Sequence, residues 1–306
     1  MTITPIERTW TTREASNGTV IGSFEGGYTN ENETPFVLLP GIGCGANSLQ
    51  LLARELDLHN HEVITADARH LKTLGHLALM GTYGRAVKDA AKEKLGDRPA
   101  VVIGHSWGGI LAQRIAVDSP EWVEKLGIIA SYSGGVPMYP PSPRNQLRMV
   151  WPNYSRERLI DICGKLYGGH DLRNNPDLID SLGMSEDISK TSTIRQAMAV
   201  AALNVDLLYK IGKIEAPTLV IAGKDDRVVP YRNSQEIHRR IAGSVLELIP
   251  LAGHMVPITQ AEQIADIIDK FVDPNPIDVS EVYPIDINLQ PVLELVHAVP
   301  DALVAS

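Results

Sequence analysis

A serine between two glycines is the strongest chemical signal in the sequence: Gly104 and Gly108 stand two positions before and two positions after Ser106. An apolar run at residues 100–103 precedes this group, and a helix-like stretch at 110–118 follows it. A strand, the pattern Gly-x-Ser-x-Gly and a helix, in that order, are typical of a tight turn that exposes a nucleophilic serine. Glycine is needed at both flanking positions because a side chain there would strike the neighbouring backbone. The sequence therefore predicts Ser106 as a nucleophile.

Two later residues could activate this serine, since a hydroxyl is a poor nucleophile without an adjacent base and the base needs a group to orient it. His254 follows an apolar run at 245–249, and Asp226 follows another at 217–222. His254 would take the proton from Ser106 and return it to the leaving group, while Asp226 would hold the imidazole. The order serine, acid, histidine along the chain is typical of one class of serine hydrolase.

Asp225 competes with Asp226 for the role of the acid, because the two residues are adjacent. A Gly-x-x-Asp spacing, counted from Gly223, favours Asp226 and leaves Asp225 as a loop carboxylate.

Negative charge that develops on a substrate oxygen needs backbone donors. The Trp107 N–H, at the start of the helix after Ser106, is the first candidate. The second is expected in the glycine-rich loop after residues 36–39, where the Ile42 N–H is favoured and Gly43 is the alternative. Glycine lets this backbone fold close to a substrate, so Gly41 and Gly43 are also candidate substrate-binding residues.

The composition is that of an ordinary globular chain of 306 residues with a formal net charge of −9. This charge argues against nucleic acid or an anionic membrane as the main partner. Cys44 and Cys163 are the only cysteines and cannot form a disulfide framework. The first residues lack a signal-peptide pattern, and no apolar run approaches the ~20 residues of a membrane span. We therefore expect a cytoplasmic protein with no membrane span and no nucleic-acid partner.

Apolar runs alternate with helical patterns through most of the chain. The first 30 residues alternate apolar with polar side chains as a hairpin does, and further strands are expected at residues 36–39, 62–66, 100–103, 126–130, 217–222 and 245–249. Helices are expected at residues 48–56, 82–95, 110–118, 231–241 and 260–271. This alternation predicts an α/β fold with a mostly parallel central sheet and helices on both faces.

The alternation breaks after residue 131, and from residue 134 a proline-rich stretch and helical patterns without a convincing strand follow. Residues 134–214 are therefore interpreted as a helical cap insertion, which leaves 1–133 and 215–272 as the core. Apolar cap residues, Met138 and Trp151 among them, would either line a substrate pocket or cover the sheet edge. The sequence assigns no role to the tail at 273–306.

Other residues with chemical potential are interpreted as structural. Cys44 is expected to pack as a small side chain, and His105 is expected to pack beneath the serine turn. Four histidines lie close together in sequence without a zinc-ligand spacing: His59, His61, His70 and His76. No glycine-rich nucleotide motif is present, so neither a metal nor a cofactor is expected.

Several short motifs extend beyond the proposed catalytic residues, at 41–43, 106–113, 166–169, 175–178, 216–223, 253–254 and 258–262. With these motifs the chain resembles the α/β-hydrolases, and over residues 36–272 it is similar to the intracellular poly(3-hydroxyalkanoate) depolymerases. The most distinctive pieces are Tyr-Gly-Gly at 167–169 and Ile-Thr-x-Ala-Glu at 258–262. Residues 67–75 and the tail depart from the family pattern.

The resemblance implies an α/β-hydrolase fold and hydrolysis of 3-hydroxyacyl esters through an acyl-enzyme on Ser106. The substrate would be a small-molecule or polymer ester, and association with polymer granules or a homo-oligomer is compatible with the sequence. Two other functions are open at this stage. The same three residues serve carbon–carbon bond hydrolases and thioesterases, and the fold also serves non-catalytic ligand receptors.

Overall fold

The computed structural model describes residues 8–69, 71, 79–134, 137–150, 166–167, 169–174, 196, 199 and 205–273, without the side chains of 147–150, 171, 173 and 205. The chain divides into two units, 1–272 and 273–306, and every helix and strand given below belongs to the first.

Eight strands form one sheet. Their bounds are β1 Trp10–Glu14, β2 Val20–Phe24, β3 Phe36–Leu39, β4 Val63–Asp67, β5 Ala100–His105, β6 Val123–Ile129, β7 Thr218–Gly223 and β8 Val245–Ile249. The strand order across the sheet is β1-β2-β4-β3-β5-β6-β7-β8. The pairs β1–β2 and β2–β4 are antiparallel, and all the remaining neighbours are parallel. The expected mostly parallel sheet with an N-terminal hairpin is confirmed.

The described helices are α1 Gln50–Leu58, α2 Met80–Leu95, α3 Trp107–Asp118, α4 Pro143–Val150, α5 Gly169–Asn174, α6 Val205–Lys210, α7 Arg232–Arg240, α8 Val256–Thr259 and α9 Ala261–Val272. Short 3₁₀ turns lie at Ala46–Leu49, Pro120–Trp122 and Ile211–Lys213. Among the helices that the structure describes, none has both the length and the apolar composition that crossing a bilayer requires.

The central strands are buried on both faces, which explains why they are continuous apolar runs and not alternating patterns. Every residue of β3, β5 and β7 is buried. On the outer strand β8 burial alternates, and Val245 is exposed. The sheet therefore needs a helical layer on each side.

Two apolar clusters provide those layers. One contains side chains of α2, α3 and α7, among them Tyr83, Leu111 and Ile237. The other contains side chains of α1 and α9, among them Leu52 and Ile264. Helices thus cover both faces, and the carboxyl ends of the parallel strands meet at one edge, where an open α/β sheet places its ligand site.

The expected element bounds differ from the observed ones by a few residues. The largest differences, of three residues, are at the starts of α3 and β6: β6 begins at Val123 and not at residue 126, and α3 begins at Trp107 and not at residue 110. Glycines at 108 and 109 weaken the helical pattern in the sequence, but the sharp turn at Ser106 directs the chain into the helix at once. The described residues between 134 and 214 that belong to regular elements are helical, and the proposed cap boundaries remain predictions.

Candidate active site

The turn at Ser106 joins β5 to α3 and holds the serine in an unusual backbone conformation. Ser106 has φ 55° and ψ −117°, a region that non-glycine residues rarely occupy. A Cβ added at Gly104 would lie 2.1 Å from the Gly108 carbonyl oxygen, and one added at Gly108 would lie 2.1 Å from the Leu39 carbonyl oxygen. Both contacts are with backbone, so the two glycines are required, as the sequence predicts.

Hydrogen bonds on both sides of Ser106 stabilise this strained conformation, which costs about 1–3 kcal/mol in general. The Ser106 N–H donates to the Ile129 carbonyl oxygen at 2.9 Å, and the buried Ser131 hydroxyl donates to the Ser106 carbonyl oxygen at 2.7 Å. Both partners lie at the end of β6 or directly after it. The neighbouring strand therefore fixes the serine at the carboxyl edge of the sheet.

His254 lies between Ser106 and Asp226. Its Nε2 is 3.0 Å from the Ser106 Oγ, and its Nδ1 is 2.8 Å from the Asp226 Oδ2. Because a carboxylate only accepts, the Nδ1–H donates to Asp226 and leaves the Nε2 lone pair facing the serine hydroxyl. His254 is 3% exposed and Asp226 is 5% exposed, so this contact is shielded from water. The arrangement can move a proton off the serine.

The carboxylate bonded to His254 is that of Asp226 and not that of its neighbour. The second carboxylate oxygen, Oδ1, accepts the backbone N–H groups of Val228 and Val229, each at 2.8 Å. These bonds fix the carboxylate with Oδ2 toward His254. Asp225 is only half-buried, and its own N–H donates to the Ala252 carbonyl oxygen at 2.9 Å.

His105 is buried directly beneath the histidine loop. Its Nε2–H donates to the His254 carbonyl oxygen at 2.8 Å, and the two rings lie 5.0 Å apart between centroids. Burial, together with the neighbouring His254, lowers the pKa of His105 to about 3. His105 is therefore a neutral donor that supports the loop carrying His254.

Gly169, which the sequence analysis named only as part of the Tyr-Gly-Gly motif, also supports the loop that carries His254. Gly169 has φ 58°, and a Cβ added there would lie 2.5 Å from the Leu251 carbonyl oxygen. The Tyr167 carbonyl oxygen accepts the Met255 N–H at 2.9 Å. Tyr167 and Gly169 of the motif thus lie against the backbone on both sides of His254. The only signal in the sequence for this packing was the glycine itself, because glycine readily adopts the left-handed conformation that this position requires.

The glycine-rich loop after β3 lies beside the serine. A Cβ added at Gly41 would approach the Ser106 Cβ to 3.5 Å, so the loop borders this serine. The Gly43 N–H is already engaged, because it donates to the Gln196 Oε1 at 2.7 Å. This bond disfavours Gly43 as the second oxyanion donor and leaves Ile42, which is 38% exposed, as the candidate. Trp107 is the first residue of α3, where backbone N–H groups lack helical partners.

Cys44 follows this loop and is a free thiol. Burial raises its pKa to about 11, with a smaller opposing effect from Arg69. A thiol with such a raised pKa is a poor nucleophile at neutral pH, in agreement with its interpretation as a packed side chain.

Two proposed substrate contacts come from the insertion. Met138 is 47% exposed, and its proposed contact with substrate stays a prediction. Trp151 lies outside the described residues.

The histidine group singled out in the sequence is only partly described. His59 and His61 both approach the Asp269 carboxylate of α9, at 2.5 Å and 2.7 Å. His70 and His76 lie outside the described residues. Among the residues that the structure does describe, no three His, Cys, Asp or Glu side chains form a group that could hold a metal ion.

The doubly covered parallel sheet and the serine turn at its carboxyl edge define an α/β-hydrolase fold, and solved structures with the same architecture agree. An esterase from Thermogutta terrifontis, solved with malate bound, superposes with a TM-score of 0.65 at 22% identity, over 87% of this chain and 98% of that one. This likeness concerns the fold alone.

A family profile described as serine aminopeptidase, S33, matches residues 30–258, which is most of the chain. The chain belongs to this family, Hydrolase_4, and is a serine hydrolase of the α/β-hydrolase superfamily.

Individual relatives carry several names. A poly(3-hydroxyalkanoate) depolymerase from Ectopseudomonas oleovorans is 35% identical over 180 residues, which cover 56% of this chain and 60% of that protein. The match thus spans less than two thirds of the depolymerase. A 2-hydroxy-6-oxononadienedioate/2-hydroxy-6-oxononatrienedioate hydrolase from a Pseudomonas species is 24% identical over 275 residues, or 85% of this chain and 95% of that protein.

Proposed function

We propose that this serine hydrolase cleaves carboxylic esters through an acyl-enzyme, with Ser106 as nucleophile, His254 as general base and acid, and Asp226 as the orienting carboxylate. The observation that carries the proposal is the position of one imidazole, bonded to the serine hydroxyl at 3.0 Å and to the buried carboxylate at 2.8 Å. This is the geometry that an activated serine requires.

In the first half of the reaction, the Ser106 Oγ attacks the carbonyl carbon of the ester while His254 Nε2 takes the hydroxyl proton. The carbonyl electron pair moves onto oxygen, and the backbone N–H groups of Ile42 and Trp107 stabilise the resulting oxyanion. When this intermediate collapses, the carbon–oxygen bond to the alcohol breaks and His254 gives its proton to the leaving alcohol. Asp226 stabilises the imidazolium between these two transfers.

The second half repeats these steps with water as the nucleophile. His254 takes a proton from water, the hydroxide adds to the acyl carbon, and the ester bond to Ser106 breaks. The proton returns to the Ser106 Oγ, and a carboxylic acid leaves. No cofactor or metal takes part in this proposed route.

As the substrate class we propose an aliphatic polyester of the poly(3-hydroxyalkanoate) type, or its oligomers. The depolymerase relative supports this choice. Apolar side chains adjacent to the proposed catalytic loops also support it, because they suit an aliphatic acyl chain. One cluster contains Val228 and Val229, next to the acid, and another contains Met255, next to the histidine. Gly41, Gly43, Met138 and Trp151 are proposed substrate contacts.

Hydrolysis of a carbon–carbon bond is the second candidate. The likeness to the 2-hydroxy-6-oxo-dienedioate hydrolase favours it, because that likeness extends over 85% of this chain although its identity is lower. Thioesters are a further class that the same three residues could attack.

Steady-state kinetics would test the proposal. We expect p-nitrophenyl octanoate to be hydrolysed with a higher kcat/KM than p-nitrophenyl acetate, and 3-hydroxyalkanoate oligomers to release free acid. Ser106→Ala should lower ester turnover at least about 10³-fold, because the covalent step is lost. A vinylogous 1,5-diketone and an acyl thioester, assayed under the same conditions, should be poorer substrates.

A matched pair tests the assignment of the acid. Asp226→Asn should lower kcat about 10³-fold or more, because the amide no longer holds the imidazole in the required tautomer. Asp225→Asn is the control and should keep the wild-type value.

Full ester turnover in Ser106→Ala would refute the serine mechanism, whereas a preference for the diketone would select the carbon–carbon hydrolase.

A further inference from the structure

Gln196 is a buried polar residue between β6 and β7, far in sequence from the three proposed catalytic residues. It is 2% exposed and in helical conformation. Ala199, three residues later in the sequence, is buried in the apolar cluster that contains α2 and α3. This part of the insertion is therefore anchored in the core.

The side chain of Gln196 binds the loop after β3. Its Oε1 accepts the Gly43 N–H at 2.7 Å. On the other side of the same residue, the Gly43 carbonyl oxygen accepts the Arg69 guanidinium at 3.1 Å. Arg69 is itself held by a buried ion pair with Asp67, at 2.8 Å. Both backbone polar groups of Gly43 are thus bound by buried side chains, one residue after Ile42.

The backbone of Gln196 binds the second donor segment. Its carbonyl oxygen accepts the Trp107 indole N–H at 3.1 Å. The indole is 5% exposed and packs edge-on against Tyr83, with 5.3 Å between ring centroids. One residue therefore contacts both segments whose backbone N–H groups are the candidate oxyanion donors, Ile42 and Trp107.

We propose that Gln196 is a positioning residue that fixes the separation of the two oxyanion donors; this inference rests on the proposed function. Donors stabilise a developing oxyanion only when they are held in place before the reaction, because reorganisation during the reaction costs part of the gain. A few tenths of an ångström of freedom at such a site is enough to weaken catalysis. The two bonds of Gln196 join the β3 loop to the start of α3 and remove that freedom.

The test is Gln196→Met, which keeps the length of the side chain and removes the acceptor. We expect kcat for p-nitrophenyl butyrate to fall about 10-fold with KM unchanged, because donor alignment matters most in the transition state. This loss is smaller than the 10²–10³-fold that removal of an oxyanion donor itself costs.

An inhibitor pair separates positioning from general damage to the structure. An aliphatic trifluoromethyl ketone adds to a serine as a tetrahedral oxyanion, and its Ki should rise by the same factor as kcat falls. The Ki of butanol, which forms no oxyanion, should stay at the wild-type value. Tyr209→Ala is the control within the insertion: Tyr209 is 77% exposed, and its kinetics should match wild type.

Wild-type kcat in a folded Gln196→Met, or equal rises in both Ki values, would overturn the proposal. If Gln196→Met does not fold, Trp107→Phe tests the same proposal. This change removes the indole N–H that donates to the Gln196 carbonyl oxygen and leaves the backbone N–H of residue 107 in place. It should lower kcat several-fold at constant KM, and an unchanged kcat would count against positioning. Failure of the proposed function is distinct from either result, since it would appear as absent ester turnover in wild type or full turnover in Ser106→Ala.

Discussion

At the scale of single residues, His105 shows how burial and position together determine charge. Its imidazole is 4% exposed and lies against His254. A proton on His105 would lose hydration, and it would be repelled by the imidazolium that we propose forms on His254 during turnover. The low pKa of His105 therefore keeps it neutral while His254 exchanges protons. A neutral ring with a fixed Nε2–H can donate to the His254 carbonyl oxygen throughout the reaction.

This low pKa predicts a dependence of stability on pH. In the unfolded chain His105 binds a proton near 6.5, whereas in the folded protein it does so only near 3. Between these values the unfolded state holds one more proton, so stability is fully present above about pH 6.5 and is lost as the pH falls. From pH 7 to pH 5 the contribution of this residue to the free energy of unfolding should fall by about 2 kcal/mol.

Urea unfolding of wild type and His105→Gln at these two pH values would measure this contribution. The glutamine amide can donate a hydrogen bond but does not titrate, so the variant should lose about 2 kcal/mol less than wild type on acidification. Taking the difference between the two proteins removes the contribution of the other histidines to the pH dependence, because both proteins contain them. Equal losses in both proteins would show that His105 does titrate in the fold.

At the scale of elements, α3 and β3 meet without intervening side chains. The backbone at Gly108 packs on the end of β3, and an added Cβ would lie 2.1 Å from the Leu39 carbonyl oxygen. The contact sets the distance between the serine turn and the loop after β3, so a change there would move both candidate oxyanion donors. Because the nearest atoms to the added Cβ belong to the backbone, no side-chain rotation can relieve the contact.

Gly108→Ala should therefore lower the free energy of unfolding by about 3 kcal/mol or more, or prevent folding. Gly212→Ala is the matched control, because the nearest atom to its new Cβ is the Arg240 carbonyl oxygen at 3.4 Å. That variant should stay within about 1 kcal/mol of wild type. Equilibrium denaturation in urea measures both, and similar midpoints would contradict the close approach at Gly108.

Elements and site residues differ in how far the sequence predicts them. The buried strands β5 and β7 are apolar runs that begin after a proline and end at glycine or polar residues, so their positions follow from local sequence. Ser106 and Asp226 were proposed because each follows such a strand, and His254 was proposed because it comes after β8 in the expected order. Gln196 was not found, because its bond to Gly43 joins residues 153 positions apart and no local pattern encodes it.

At the scale of the whole molecule, the described residues of the two apolar clusters and of the candidate active site extend up to α9. The last described helix, α9, closes one face of the sheet with Ile264 and Ile268. At its end, the Lys125 ammonium donates to the Val272 carbonyl oxygen at 2.5 Å and lies 5.9 Å from the centre of the Phe271 ring. The last turn of α9 is therefore tied to β6.

A chain ended after Lys270 should consequently be less stable than a chain ended after Asp273 by about 1–3 kcal/mol, because it loses Phe271 and Val272, which pack against the cluster on the α1 and α9 face. Both chains lack the same residues after 273, so the difference between them measures only the last turn of α9. Calorimetry on the two chains is the measurement, with kcat for p-nitrophenyl butyrate as a check that each is folded. Equal melting temperatures would contradict the tie between α9 and β6.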